Sequence, residues 1–169
     1  MRGRTFLLAV TLSLAFAAVA NAQSFDNPKV EYTLDLPSPS WHLSSEPDDV
    51  SQAVEIINGQ DRGDGLLKIR KMVVEAGVTA DQTARNDKDQ NLRYQRGYVD
   101  GKQDSFSGRV KGVVLSYEYT NGGKPMAGLI YYLQTDPRTI YTLRFTGRRD
   151  KLLLLRNQTD ISARSFKLK

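Results

Sequence analysis

Val30, Tyr32, Leu34 and Leu36 alternate with Glu31, Thr33 and Asp35. A period of two predicts a strand with one buried and one wet face, which Pro37 and Pro39 then stop. Gln52 to Asn58 and Leu66 to Glu75 carry further apolar positions: Val54, Ile56 and Ile57 in the first, and Leu67, Ile69 and Val73 in the second, with Met72 and Val74 opposite. Between them lies the turn-rich Asn58-Gly-Gln-Asp-Arg-Gly-Asp-Gly65, so the pair reads as a β-hairpin with a longer loop. From Thr79 to Arg96 the pattern becomes helical. Thr79 and Gln82 have capping-box spacing, Asp81/Arg85 and Asp89/Arg93 are acid-to-base pairs four apart, and neither Gly nor Pro intervenes before Gly97. The apolar content is thin (Ala80, Ala84, Leu92, Tyr94), which predicts a surface helix with a broad solvated face.

The strongest sheet signal follows a short predicted strand at Tyr98 to Phe106. Val113, Leu115, Tyr117 and Tyr119 alternate with polar and smaller residues up to the turn Asn121-Gly-Gly-Lys124. Met126 to Gln134 is apolar on both faces, as in a strand covered on both sides, and Ile140 to Thr146 puts Tyr141, Leu143 and Phe145 on one face beyond the turn at Asp136-Pro-Arg138. Three such strands joined by short turns predict an antiparallel meander. Arg148 to Arg164 is a second helix, with Leu152 to Leu155 and Ile161 as its apolar positions, Phe166 packing beyond its end, and a weak middle at Asn157-Gln-Thr159 that is the place for a break or tilt.

The start of the chain has a different character. Arg2 and Arg4 precede an apolar stretch from Phe6 to Ala20, and Ala20-Asn-Ala22 offers small residues at the two positions that define a cleavage site. Residues 1–22 therefore read as a secretory signal, and residues 23–169 as a single α+β domain with no transmembrane segment after cleavage. Removing Arg2 and Arg4 from the 24 basic residues leaves 22 against 19 acidic ones, a net of +3 on 147 residues. A domain of that size buries roughly 70% of its unfolded surface and can fold without disulfides. None can form, because the chain has no cysteine.

Absent cysteine also excludes thiolate metal sites and cysteine nucleophiles, and a single histidine, His42, excludes HExxH and paired-histidine metal sites. GxSxG, GxxxxGK[ST] and a serine three residues ahead of a lysine do not occur. No metal, cofactor or catalytic residue is assigned. His42 reads as a hydrogen-bonded loop residue, and Trp41 as a core residue sealing one end of the sheet. Asp61 and Asp64 lack the spacing of a calcium loop, so their segment, which includes Arg62-Gly-Asp64, reads as a solvated hairpin turn. Asn157-Gln-Thr159 matches a glycosylation acceptor within a predicted helix. Tyr94, Tyr98, Tyr117, Tyr119, Tyr131, Tyr132 and Tyr141 cluster around the sheet, where inward rings belong to the core and outward ones are able to line a groove.

Charge is unevenly placed. Residues 138–169 hold nine basic side chains against Asp150 and Asp160, a net of +7, while residues 23–137 have 13 basic and 17 acidic, a net of −4. Arg148, Arg149, Lys151 and Arg156 are the candidate surface for an anionic partner, with an ordinary solvated helix face as the alternative. The partner is expected to be a protein or an anionic surface rather than a specific nucleic acid.

The order of elements, with Tyr32-Thr-Leu-Asp-Leu-Pro37 running on to Trp41, then Ile140-Tyr-Thr-Leu-Arg-Phe-Thr146, then Ile161-Ser-Ala-Arg-Ser-Phe166, resembles the PsbP-like superfamily. Its members are α/β/α sandwiches around an antiparallel sheet, and include photosystem extrinsic subunits, a Ran-binding nuclear import factor and bacterial exported proteins. The resemblance implies a non-catalytic domain that binds or assists a partner. No metal site carries over, because those of some photosystem members use more than one histidine. Two other functions stay open at this point: a carrier of a small apolar ligand between sheet and helices, and an enzyme built on carboxylates.

Overall fold

A computed structural model describes residues 23–169; the predicted signal segment 1–22 lies outside the described residues. The chain runs β1 (Gln23–Asp26), β2 (Tyr32–Leu36), β3 (Trp41–Leu43), β4 (Val54–Asn58), β5 (Leu66–Val73), α1 (Ala80–Gln90), a 3-10 turn (Leu92–Tyr94), β6 (Val99–Ser107), β7 (Lys111–Asn121), β8 (Lys124–Asp136), β9 (Thr139–Arg148), α2 (Arg149–Ser165) and β10 (Lys167–Leu168). Seven strands form one antiparallel sheet in the order β3-β4-β5-β9-β8-β7-β6, and β1-β2-β10 form a second, smaller one. The fold is α+β, as the alternation of apolar positions predicts.

Each face of the large sheet is paired with different elements. On one face Leu67, Ile69, Tyr141, Leu143 and Phe145 meet the small sheet (Phe25, Tyr32, Leu34, Leu36) and α2 (Leu152, Ala163), with Phe166 beyond its end. On the other face α1 and the turn after it bring Ala80, Ala84 and Leu92 onto Leu115, Tyr117, Ile130, Tyr132 and Ile140. Trp41 is fully buried, packs edge-on against Phe145 and donates its indole N–H to Gln158 Oε1 at 3.0 Å, so it is a core residue as read from the sequence.

Several expectations are corrected. Helix α1 starts where predicted, with the Thr79 hydroxyl accepting from the Gln82 N–H, but it ends at Gln90. The chain tightens there because Leu92 must turn inward onto Ile130 and Tyr132, while Tyr94, counted among the apolar positions, ends up in solvent. Helix α2 is continuous through Asn157. Its polar middle causes no break, because Gln158 caps the Trp41 indole and the buried Thr159 hydroxyl meets Tyr131. Val73 shares a face with Leu67 and Ile69 yet is exposed at the end of its strand. Among the described residues no helix is long and apolar enough to cross a membrane.

Candidate binding surfaces

Helix α1 has only 11 residues and packs on β7 and β8, which leaves the β5 and β9 part of that face uncovered. The result is an open trough of about 750 Å³. Register explains its floor. Lys68 in β5 stands opposite Arg144 in β9, Arg70 opposite Thr142, and Leu66 opposite Thr146, so the wet positions of two adjacent strands converge on one surface. Asp87 and Asn91 at the end of α1 form one wall, with Gln95, Tyr117 and Tyr119 beside them.

Charge in the trough is arranged rather than random. Tyr132 donates its hydroxyl to Asp87 Oδ2 at 2.5 Å, and Arg144 Nη2 donates to the same oxygen at 2.8 Å, so one carboxylate anchors both a buried tyrosine and a sheet arginine. Burial, with Asp87 as a further cause, pushes the Tyr132 hydroxyl far above its ordinary range, so it stays a proton donor at any physiological pH. Lys68 Nζ lies 2.6 Å from Glu55 Oε1, and this hydrogen bond holds the Glu55 carboxyl below the usual carboxylate range. Arg70 has no ion-pair partner among the described residues and is exposed. It is the free cation on this surface, flanked by the two neutralised ones.

The aromatic wall depends on a glycine. Tyr117 is buried and lies flat over Gly128 of β8, stacking on Tyr98 (centroids 6.3 Å apart, 28° between planes) and on Tyr119 (5.6 Å, 23°). Burial pushes the Tyr117 hydroxyl up to about 12. The partly exposed Tyr119 and the buried Tyr117 thus line the trough, whereas Tyr131 and Tyr141 belong to the core on the opposite face.

That opposite face has a counterpart. The Tyr141 hydroxyl donates to Glu31, which also binds Lys71 Nζ at 2.5 Å. These two tyrosine–carboxylate pairs are the arrangements nearest to a carboxylate-dependent active site, and in each the carboxylate is already held by a cation. A smaller cavity of about 230 Å³ lies between α2 and the β6–β8 end of the sheet, lined by Leu129, Leu152, Leu153 and Arg156 among others. It falls below the roughly 300 Å³ at which pockets for drug-sized ligands begin.

The four basic residues read from the sequence as a partner surface are placed differently from one another. Arg148 Nη2 donates to Asp64 Oδ1 at 2.7 Å, and its Nε is buried without an acceptor, so Arg148 clamps the β4–β5 loop. Arg149 Nε lies 3.2 Å from Glu118. Lys151 and Arg156 are exposed and have no carboxylate partner among the described residues. His42 sits on the short strand β3 rather than in a loop, is exposed, and has Nδ1 3.2 Å from the Ser40 carbonyl oxygen. Asp61 accepts from the Gly63 and Asp64 backbone N–H groups, which closes the hairpin turn expected there. Among the described residues no group of three or more His, Asp or Glu is placed to hold a metal. Thr159 of the glycosylation sequence is buried, and Asn157 is exposed on α2.

No family model and no curated protein matches the chain. Solved structures do. Cyanobacterial PsbP from Synechocystis superposes with a TM-score of 0.58 at 16% identity, over 93% of this chain and 98% of that one. Yeast (Saccharomyces cerevisiae) Mog1p, a Ran-binding protein, gives 0.60 at 8% identity, over 88% and 96%. LpqN of Mycobacterium tuberculosis, involved in cell envelope biogenesis, gives 0.56 at 14% identity, over 88% and 92%. Against a longer Bacteroides thetaiotaomicron protein (TM-score 0.59, 11% identity) the chain spans about half the length of that structure, 48%. The architecture is therefore that of the PsbP-like fold.

Proposed function

We propose that this chain is an exported, non-catalytic binding module, and that its trough receives an acidic stretch of a partner protein. The observation that carries this reading is the row formed by Lys68, Arg70 and Arg144 on the uncovered half of the sheet, where two cations are pre-oriented by Glu55 and Asp87 and the third is free. Pre-oriented side chains lose little further freedom on binding, and a cationic trough speeds encounter with acidic partners. Tyrosine faces beside the cations add apolar contact area at low entropic cost. The fold offers a precedent in Mog1p, a Ran-binding protein, and the basic and apolar segment at residues 1–22 supports export to the cell envelope or beyond. A non-catalytic role is supported by Asp87 and Glu31, each committed to both a tyrosine and a cation.

A photo-cross-linking side chain at Met72, on the lip of the trough, tests the reading in the native host, with Val50 as an exposed position on the small-sheet side, away from it. Defined protein adducts should form from position 72, and the double substitution Lys68→Glu with Arg70→Glu should abolish them. Equal adducts from positions 72 and 50, or adducts indifferent to the double substitution, would refute the proposal.

A further inference from the structure

The outer face of α2 carries large apolar side chains that no part of the described chain covers. Leu153 is 61% exposed, Leu154 80% and Ile161 48%. The inner face of the same helix is satisfied, with Leu152, Thr159, Ser162 and Ala163 buried against the sheets. At 100° per residue Leu153, Leu154 and Ile161 fall within one outward arc that also holds Asp150, Asn157 and Arg164, while Lys151 and Arg156 stand on opposite flanks of it. Both flanking cations are exposed and free of carboxylate partners among the described residues. An outward face that carries three large exposed apolar side chains and is bordered on each side by free cations has the chemistry of a helix lying in the boundary of an anionic bilayer, where leucine enters the acyl region and the basic groups meet phosphates.

We infer that the outer face of α2 is a membrane-contact surface: Leu153, Leu154 and Ile161 enter the headgroup boundary of an anionic bilayer, and Lys151 and Arg156 bind its phosphates. Of the four cations singled out in the sequence, these two serve the contact, because Arg148 and Arg149 are spent on Asp64 and Glu118. Asp150, exposed in the first turn of α2 and within the outward arc, opposes the attraction, whereas Asp160 is paired with Arg164 at 2.6 Å. The ridge is separate from the trough, since α2 packs on the opposite side of the large sheet from α1.

Co-sedimentation with vesicles of phosphatidylglycerol and phosphatidylcholine, against phosphatidylcholine alone, reads the contact directly. The protein used is Gln23–Lys169, which contains both sheets, both helices and both core clusters, and lacks the apolar segment that would bind vesicles by itself. Binding should require phosphatidylglycerol and weaken as salt is raised. At about 1 kcal/mol for each cation near an anionic surface, Lys151→Gln with Arg156→Gln should bind about 30-fold more weakly. Leu153→Ser with Leu154→Ser should lose at least about tenfold, with unchanged thermal stability because both side chains are exposed. Arg70→Glu removes the same two units of charge from the trough and should leave vesicle binding intact, so failure of the membrane contact and failure of the trough reading are distinguishable. The inference is overturned if wild type does not sediment with the anionic vesicles, which would turn the ridge over to a protein partner. It is equally overturned if neutral vesicles bind as well, if both α2 variants match wild type, or if Arg70→Glu weakens binding as much as the α2 charge variant.

Discussion

Replacing Gly128 by alanine tests how the aromatic wall of the trough is held, because two effects of opposite sign meet at that residue. In a strand interior, alanine relieves the extra chain entropy that glycine loses on folding, a gain of about 0.5–1 kcal/mol. Against this, a Cβ on Gly128 would lie 2.6 Å from the Tyr117 hydroxyl oxygen and closer still to Cε1 and Cζ, all inside the 3.0 Å that real Cβ atoms essentially never cross. The backbone of β8 cannot recede, since it is paired on both sides, with Tyr117 of β7 and Thr146 of β9. The ring must therefore lift. Overpacking of this kind costs about 1–3 kcal/mol, and the stacks on Tyr98 and Tyr119, worth roughly 0.5–1.5 kcal/mol each, loosen with it. Packing outweighs propensity, for a net loss of about 2 kcal/mol, or roughly 4–8 °C in a domain of this size. A double-mutant cycle by urea denaturation isolates the cause. In a Tyr117→Ala background the obstacle is gone, and Gly128→Ala should turn neutral or mildly stabilising. A single substitution that leaves stability unchanged, or an equal loss in both backgrounds, would refute the reasoning.

Trp41→Ala should lower stability by about 3–5 kcal/mol in denaturant melts, because it empties a fully buried site and strands the Gln158 amide oxygen. Lys71's hydrogen bond first, and the Tyr141 hydroxyl second, hold the Glu31 carboxyl below its ordinary value of 4.5. A folded value lower than the unfolded one means that the stabilisation is complete above the unfolded value and is lost as pH falls through the folded one. Glu31→Gln should accordingly flatten the decline in melting temperature between about pH 5 and about pH 3, and a wild-type-like decline would show that Glu31 does not contribute. Intact-mass analysis of protein from its native host should give a chain that begins at Gln23; retention of Met1 would remove the export proposal.

How much could be read before the fold was known depended on element length and on where polar atoms are used. The β7–β8–β9 meander announces itself because ten or more residues per strand give several full periods, and Gly122-Gly123, both at positive φ, supply the turn. Strands β1, β3 and β10 have four, three and two residues, too few to show any period, so of the small sheet only β2 was legible. Helix α2 looked breakable at Asn157-Gln-Thr159 because propensity counts polar residues as liabilities; here two of them satisfy Trp41 and Tyr131. The trough was hidden for a different reason. Lys68, Arg70 and Arg144 each read as the ordinary wet side of a strand, and only the register that sets β5 beside β9 gathers them, while only the shortness of α1 leaves them open. Arg148 looked like surface charge and is a loop clamp, a distinction that resides in Asp64, 84 positions away.

The pairing of β10 with β2 has a consequence for how the chain comes to be folded. Phe166 is wedged between Tyr32 and Tyr141, the Ser165 hydroxyl accepts from the Asp35 N–H across 130 positions, and the Lys169 N–H donates to the Glu31 carbonyl oxygen. The layer that closes one side of the core begins at Gln23 and is thus completed only by Lys167 and Leu168. Until they emerge from the ribosome, Tyr32 and Leu34 have no lid, and loop closure over that span is slow. The layer over Tyr32 and Leu34 is therefore complete only once residues 165–169 are made.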